Sequence, residues 1–327
     1  MKKQRMLIGV VVLGLLAGTP AWAAVGVPAD GWGGQDQTEK FSKTVPLPKG
    51  GAFDLSNISG NIVITGGAGD QVVIDAVKRG KTADDLKAVQ IEVTTTANRV
   101  EVRTRYPQER RNVNASVDFT ISLPRGAVVN ARSVSGDMKV SNVDGILRVE
   151  TVSGNVAVTS AAQLESAKTV SGDVTVDTAG SAGDIAAASV SGSVKMRAVK
   201  AKSIDTNSVS GDVSMTDVTC DRAKANSISG GITFGGPLAR GGRYMLQSHS
   251  GDVVVQLVGT AGFELNASSF SGDITSAVEL TAKVGGESDR QGRQGSPRRQ
   301  SMRGTFGDGG AVLELNSFSG DIKIVKK

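Results

Sequence analysis

A six-residue phrase recurs along this chain and restricts its fold more than any other feature. A small hydroxyl residue, an apolar residue, Ser, Gly, a small polar residue and an apolar residue follow one another as Ser133-Val134-Ser135-Gly136-Asp137-Met138. The Ser-Gly pair returns as Ser153-Gly154, Ser171-Gly172, Ser191-Gly192, Ser210-Gly211, Ser229-Gly230, Ser250-Gly251, Ser271-Gly272 and Ser319-Gly320, with an early outlier at Ser59-Gly60. From Gly136 to Gly272 the glycines are 18, 18, 20, 19, 19, 21 and 21 residues apart. Self-similarity at such a period marks a stacked-repeat architecture.

The pattern inside each repeat selects the kind of stack. Apolar residues stand two and four positions after the glycine, as in Val156 and Val158 or Val213 and Met215, and five and seven before it, as in Leu147 and Val149 or Leu265 and Ala267. Spacing of two is strand alternation. Each repeat therefore contains at least two short strands meeting at a Ser-Gly corner, where glycine accepts backbone angles other residues resist. A four-stranded propeller blade does not fit into 18–21 residues. The expected fold is all-β: a parallel β-helix, or β-solenoid, of 18–21-residue coils with an irregular N-terminal β cap. Equivalent residues then stack in columns about 4.8 Å apart. The serines from Ser135 to Ser319 are read as structural, each hydroxyl satisfying corner backbone groups. The apolar column runs Val134, Val152, Val170, Val190, Val209, Ile228, His249, Phe270, Phe318.

Composition agrees with a thin core. Aromatic residues make up only 4% of the chain, while 42 of its 327 residues are glycine, nearly double average usage. The single cysteine, Cys220, excludes an internal disulfide and a cysteine-based zinc cluster. The single histidine, His249, excludes multi-histidine metal sites. No cofactor and no metal is expected.

Four segments are expected. Residues 1–23 read as a signal peptide: Lys2, Lys3 and Arg5, an apolar run from Met6 to Ala17, then Ala21-Trp22-Ala23 as the cleavage site. Residues 24–48 read as a flexible lead-in. Residues 49–130 read as an N-terminal β segment, with strands at Phe53–Leu55, Asn61–Thr65, Val72–Ala76, Ile91–Thr95, Arg99–Arg103 and Val117–Leu123, and with Thr82–Ala88 as a helical turn or a loop. Residues 131–327 hold the repeats, with a disordered basic insertion at about 285–304. Gly304 to Gly310 reads as a flexible return to the last coil. No membrane span is expected after signal removal, and the protein is placed in the periplasm, at the cell surface or outside the cell.

Net charge is +5, and +2 without the three cations of the leader. The stretch holding Lys283, Arg290, Arg293, Arg298, Arg299 and Arg303 contributes +4 against Glu287 and Asp289. The rest of the chain is thus slightly acidic, which argues against nucleic acid as a partner. The arginines of this stretch are instead a contact loop for anionic envelope material. Down the column after the glycine, aspartate alternates with neutral residues except at Asp252, Asp273 and Asp321. An acidic cluster is expected there, relieved by the basic insertion or by a weakly bound cation. His249 is expected to cover its neighbours Ile228 and Phe270, and Cys220 to be a buried free thiol.

The string from Val117 to Gly126, Val-Asp-Phe-Thr-Ile-Ser-Leu-Pro-Arg-Gly, leads directly into the first regular Ser-Gly-Asp. That arrangement resembles the bacterial putative-adhesin family, exported domains of unknown function built from Ser-Gly-Asp β-solenoid repeats. The resemblance covers Gly51 to Lys327 and transfers no catalytic residue. It implies a non-enzymatic protein of the cell envelope that acts by surface contact, with an envelope polymer or envelope protein as partner. The alternatives are a carbohydrate-active β-helix enzyme and a periplasmic accessory or sensor of an envelope-stress system. Long flat faces without a pocket favour the first reading.

Overall fold

The computed structural model describes residues 37–107, 113–281 and 300–327. The leader, the first part of the lead-in, and Arg290, Arg293, Arg298 and Arg299 of the basic stretch lie outside the described residues. The described chain is all-β, with one six-residue helix, Ala83–Ala88. Thr82 caps that helix, its Oγ1 accepting from the Asp85 N–H at 3.1 Å.

Two long ladders carry the repeats. One joins the strands that precede each corner: Val128–Ser135, the second half of Met138–Ser153, then Val156–Lys168, Asp184–Ser191, Lys200–Ser210, Thr219–Ser229 and Arg243–Ser250. The other joins the strands that follow it, from Ile62–Gly67 to Val253–Leu257. Pairing is parallel and in register, so Val156 meets Val174, Val174 meets Val194, and Val194 meets Val213. Alternation sends Val156, Val158, Leu164 and Ala167, with their equivalents, into one continuous core.

A third wall completes that core. Val143, Ala161, Ala179, Val199 and Val218, each seven residues after a corner glycine, are all buried. The residue before each of them turns the chain with a positive φ: Asn142 (58°), Ser160 (55°), Thr178 (52°), Ala198 (50°) and Asp217 (53°). This second corner has no fixed residue type, and for that reason the repeat pattern does not announce it.

At both ends the order in space departs from the order in sequence. Strand Arg243–Ser250 pairs with Ala311–Ser319, which in turn pairs with Phe263–Ser271. The final repeat, 311–326, is therefore inserted between the two that precede it. At the other end, strand Ala52–Ser59 pairs with both Arg99–Arg105 and Val128–Ser135. The outermost strands are covered by antiparallel neighbours, Gln90–Thr96 at one end and Gln300–Phe306 at the other.

Two expectations are corrected. Within the supposed lead-in, Gln37–Pro46 is a strand lying antiparallel on Gln71–Gly80. It buries little beyond Val45, so backbone pairing rather than an apolar face holds it, and its polar sequence conceals it. Gly304 to Phe306 is likewise not a loose return. It ends a strand running antiparallel to Phe263–Ser271, and only Gly307 to Gly310 forms the turn.

Candidate functional site

Strand parity places the apolar column on the outside. The residues five and three before each glycine point inward, so the one two before it points outward. Ile58, Val134, Val152, Val170, Val190, Val209, Ile228, Phe318 and Phe270 are 38–52% exposed. With the exposed His249 between Ile228 and Phe318, they make an unbroken ridge down the stack. At its C-terminal end three rings lie face to face. His249 stacks on Phe318 with centroids 4.8 Å apart, and Phe318 stacks on Phe270 at 4.7 Å. His249 therefore covers Phe318, not Phe270, because the last repeat is the inserted one.

The corner is fixed by two hydrogen-bond ladders. In the first, a hydroxyl reaches the carbonyl of a corner glycine one repeat away: Thr169 Oγ1 to Gly154 at 2.9 Å, Ser189 Oγ to Gly172 at 2.8 Å, Ser248 Oγ to Gly230 at 2.9 Å and Ser269 Oγ to Gly320 at 3.0 Å. These hydroxyls sit three residues before the glycine and are buried. The serines directly before the glycine, Ser135, Ser153, Ser171, Ser191, Ser210, Ser229, Ser250, Ser271 and Ser319, are exposed. The bond expected of their side chains is made by the earlier hydroxyl, since parity turns that one inward.

In the second ladder, the residue after the glycine accepts from its counterpart's backbone. Asp137 Oδ1 accepts the Asn155 N–H at 2.8 Å, Asn155 Oδ1 the Asp173 N–H at 2.9 Å, and Asp173 Oδ1 the Ser193 N–H at 2.8 Å. At the C-terminal end the order is Asp252, Asp321, Asp273. Lys323 Nζ lies 3.3 Å from Asp252 and 3.2 Å from Asp321, so a lysine two residues after Asp321 contributes to relieving this cluster; the cations expected to do so, other than Arg303, lie outside the described residues. The Asp273 N–H and Lys323 together hold the Asp321 carboxyl below its ordinary range. Gln300 closes the ladder: its Nε2 donates to Asp273 at 2.9 Å and its Oε1 accepts the Ile274 N–H at 3.2 Å. Among the described residues no group of three or more His, Cys, Asp or Glu is arranged to hold a metal ion.

Shallow, open grooves run beside the ridge on otherwise flat faces. Their far wall is the outward column four residues before the glycine, and side chains on the two columns stand above the backbone between them. One groove, of about 730 Å³, runs past Val152, Val170, Val190, Val209 and Ile228, with Arg132, Glu150, Lys168, Ala188, Asn207 and Asn226 opposite. A second, of about 640 Å³, continues past His249, Phe318 and Phe270, with Gln247 and Asn316 opposite. Cys220 is away from both, and burial pushes its thiol up to about 12. Arg303 is in strand Gln300–Phe306, its Nε donating to Asn266 Oδ1 at 3.3 Å.

Among solved structures, the chain resembles a protein named putative adhesin from Parabacteroides distasonis, at 10% identity and TM-score 0.49, covering 88% of this chain and 97% of that one. A protein from the same organism named putative lipid binding protein gives 10% identity and TM-score 0.49, over 88% and 96%. A putative adhesin from Bacteroides fragilis gives 13% identity and TM-score 0.43, over 88% and 97%. No curated protein matches the chain. Residues 54–325, most of the sequence and every Ser-Gly corner, match the family described as Toastrack DUF4097, and the chain belongs to that family.

Proposed function

We propose that the parallel ladders are successive turns of one β-solenoid, capped by the irregular layers of residues 49–130, and that the protein is exported and works by surface contact rather than by catalysis. The ridge from Ile58 to Phe270 is the contact element. Its exposure carries the reading: a monomer seldom leaves a long contiguous apolar strip in water unless something binds there. The buried hydroxyls three before each glycine and the carboxylates after it are engaged in holding the stack, so what the ridge side chains offer is apolar area. The partner in this reading is an envelope polymer or envelope protein, met in the periplasm, at the surface or outside the cell. The cations of the 285–304 stretch are a second, salt-sensitive contact.

The test is retention on purified envelopes. Mature protein is compared with the double variant Val170→Asp and Val190→Asp, at low and high salt. Both sites are exposed, so the fold survives, which circular dichroism checks. Retention of the native protein that survives high salt, and its loss in the variant, supports the ridge. Equal retention of the two proteins overturns it.

A further inference from the structure

The groove beside the valines has a chemistry of its own. Its floor is the backbone of the residues three before each glycine. The hydroxyls of Thr169, Ser189, Ser208 and Ser227 turn inward to glycine carbonyls at 2.8–3.1 Å. The backbone is committed as well: the Ser171 N–H goes to the Val152 carbonyl and the Ser191 N–H to the Val170 carbonyl, both at 2.8 Å, and the Thr169 N–H to the Ala188 carbonyl at 2.9 Å. A sugar or a peptide would lose water at this floor and find few replacement hydrogen bonds there, at a cost for each polar group turned toward it. A hydrocarbon chain loses nothing of the kind.

Shape and charge narrow the occupant. From Val152 to Ile228 the groove crosses five repeats, roughly 19 Å at the spacing of paired strands. Its volume falls within the range of about 300–1,000 Å³ common for ligand sites. Ala188 leaves the far wall lowest at the middle. Toward the N-terminal end stand Arg132 and Lys168. Arg132 Nε lies 3.4 Å from Glu150, while Lys168 has no ion pair among the described residues. One wall of the groove is thus apolar along its length, and the opposite, polar wall carries a net positive charge at one end, where Glu150 occupies the layer between Arg132 and Lys168.

We propose that this groove binds a long-chain fatty acid, its hydrocarbon chain lying along Val170, Val190, Val209 and Ile228 and its carboxylate meeting Lys168 and Arg132. The assignment rests on the surface-contact reading only in taking the ridge as the binding face. It differs in naming a hydrocarbon chain rather than a macromolecule as the occupant.

The experiment titrates the mature protein with cis-parinaric acid and follows its fluorescence. Saturated fatty acids of increasing length and their fatty alcohols then serve as competitors. Saturable binding is expected. Affinity should rise with each added methylene, by at most about fourfold at full burial and by less in an open groove, until the groove is filled. Val190→Asp should weaken binding by about tenfold or more, the loss of roughly two buried methylenes' worth of contact. Val63→Asp, an equally exposed valine on the other ladder, should leave binding unchanged. Lys168→Ala with Arg132→Ala should weaken the fatty acid and spare the alcohol. The proposal is overturned if the folded protein binds no probe saturably, if Val190→Asp binds like the native protein, or if affinity ignores chain length. Envelope retention that depends on Val190 without any fatty-acid binding would overturn this assignment and leave the contact reading standing. Fatty-acid binding with retention indifferent to the ridge would do the reverse.

Discussion

From Val128 to Leu257 the repeats lie in space as they are written, each on the one before. At either end they do not. The 52–67 layer is held between 99–124 and 128–143, and the 311–326 layer between 243–257 and 263–276. A stack built only of nearest neighbours frays from its ends, because the last layer has one partner. Here the inserted end layer has a partner on each side, and the layer outside it is covered by an antiparallel strand. On the ladder of Phe263–Ser271 that cover also takes up the parallel edge that would otherwise invite pairing with another chain. The middle therefore shows how the stack is built, and the ends show how it is closed.

The largest expected effect breaks the middle. A Cβ on Gly172 would fall closer than 3.0 Å to the carbonyl oxygen of Gly154, and its φ is 139°. Val at this position must displace a neighbouring layer's backbone, so Gly172→Val should cost several kcal/mol. Gly69 also has a positive φ, 116°, but has no atom within 4 Å of a Cβ. Gly69→Val should cost only the backbone strain, about 1–2 kcal/mol. Melting temperatures that fall equally would show that close stacking is not what requires glycine at the corners.

The next prediction concerns the C-terminal end. Leu315 is fully buried in the inserted layer, and Leu315→Ala should cost about 2–5 kcal/mol. The informative measurement is amide exchange. Among the described residues, strand Phe263–Ser271 is paired only with Ala311–Ser319 and Gln300–Phe306, so it should lose protection together with Ala311–Ser319. Protection that persists over 263–271 while 311–319 exchanges would mean that insertion does not hold the outer layer.

How far the sequence discloses this follows from what each feature costs in residue choice. The glycine corner tolerates one residue, so it repeats and can be read. The inward apolar positions follow strand parity, and five of the six early strands expected from it lie inside observed ones, the sixth, Asn61–Thr65, starting one residue before the observed Ile62–Gly67. Parity also placed the ridge outside and the earlier hydroxyl inside, had it been carried from the fifth and seventh residues before the glycine to the second and third. The insertion at the C-terminal end is different. All repeats present the same Ser-Gly-Asp edge, so sequence does not say which layer meets which. The second corner is hidden because several residue types occupy it at modest cost.

That modest cost is itself testable, and it belongs to the middle repeats. Thr178 holds a φ of 52°, although a β-branched residue resists this region. Thr178→Gly should raise stability by up to about 1 kcal/mol, relief of strain exceeding the added freedom of the unfolded chain. Asn142→Gly should change less, since asparagine accepts this conformation. Chemical denaturation resolves the two, and a destabilised Thr178→Gly would mean that its hydroxyl, 3.0 Å from Asp177 Oδ1, matters more than its backbone.

The smallest effect joins the two regions through their carboxylates. In the middle, Asn155 separates Asp137 from Asp173. At the end, Asp321 lies directly between Asp252 and Asp273, with Lys323 against it. Asn155→Asp recreates the end arrangement without a lysine in the central layer, the nearest being Lys139 in the layer of Asp137. The new carboxylate still accepts the Asp173 N–H, but its charge meets one on either side. Like charges one layer apart repel by about 1 kcal/mol in water at 4 Å, and less with salt. Crowding by two carboxylates raises the folded-state pKa of the new group above its unfolded value. The charge penalty is therefore absent at low pH, grows as pH rises through the carboxylate range, and persists at neutral pH. Asn155→Ser, copying Ser193, removes the amide, and with it the 3.2 Å donation from Nδ2 to Asp137 Oδ1, without adding charge, and so separates loss of that bond from charge repulsion. Ala157 occupies the position that Lys323 holds in the inserted layer. Ala157→Lys should therefore recover stability in the Asn155→Asp background and do little alone, a coupling that a double-mutant cycle at low salt measures. Additive effects of the two substitutions would show that the lysine at the C-terminal end does not serve to admit a third consecutive aspartate.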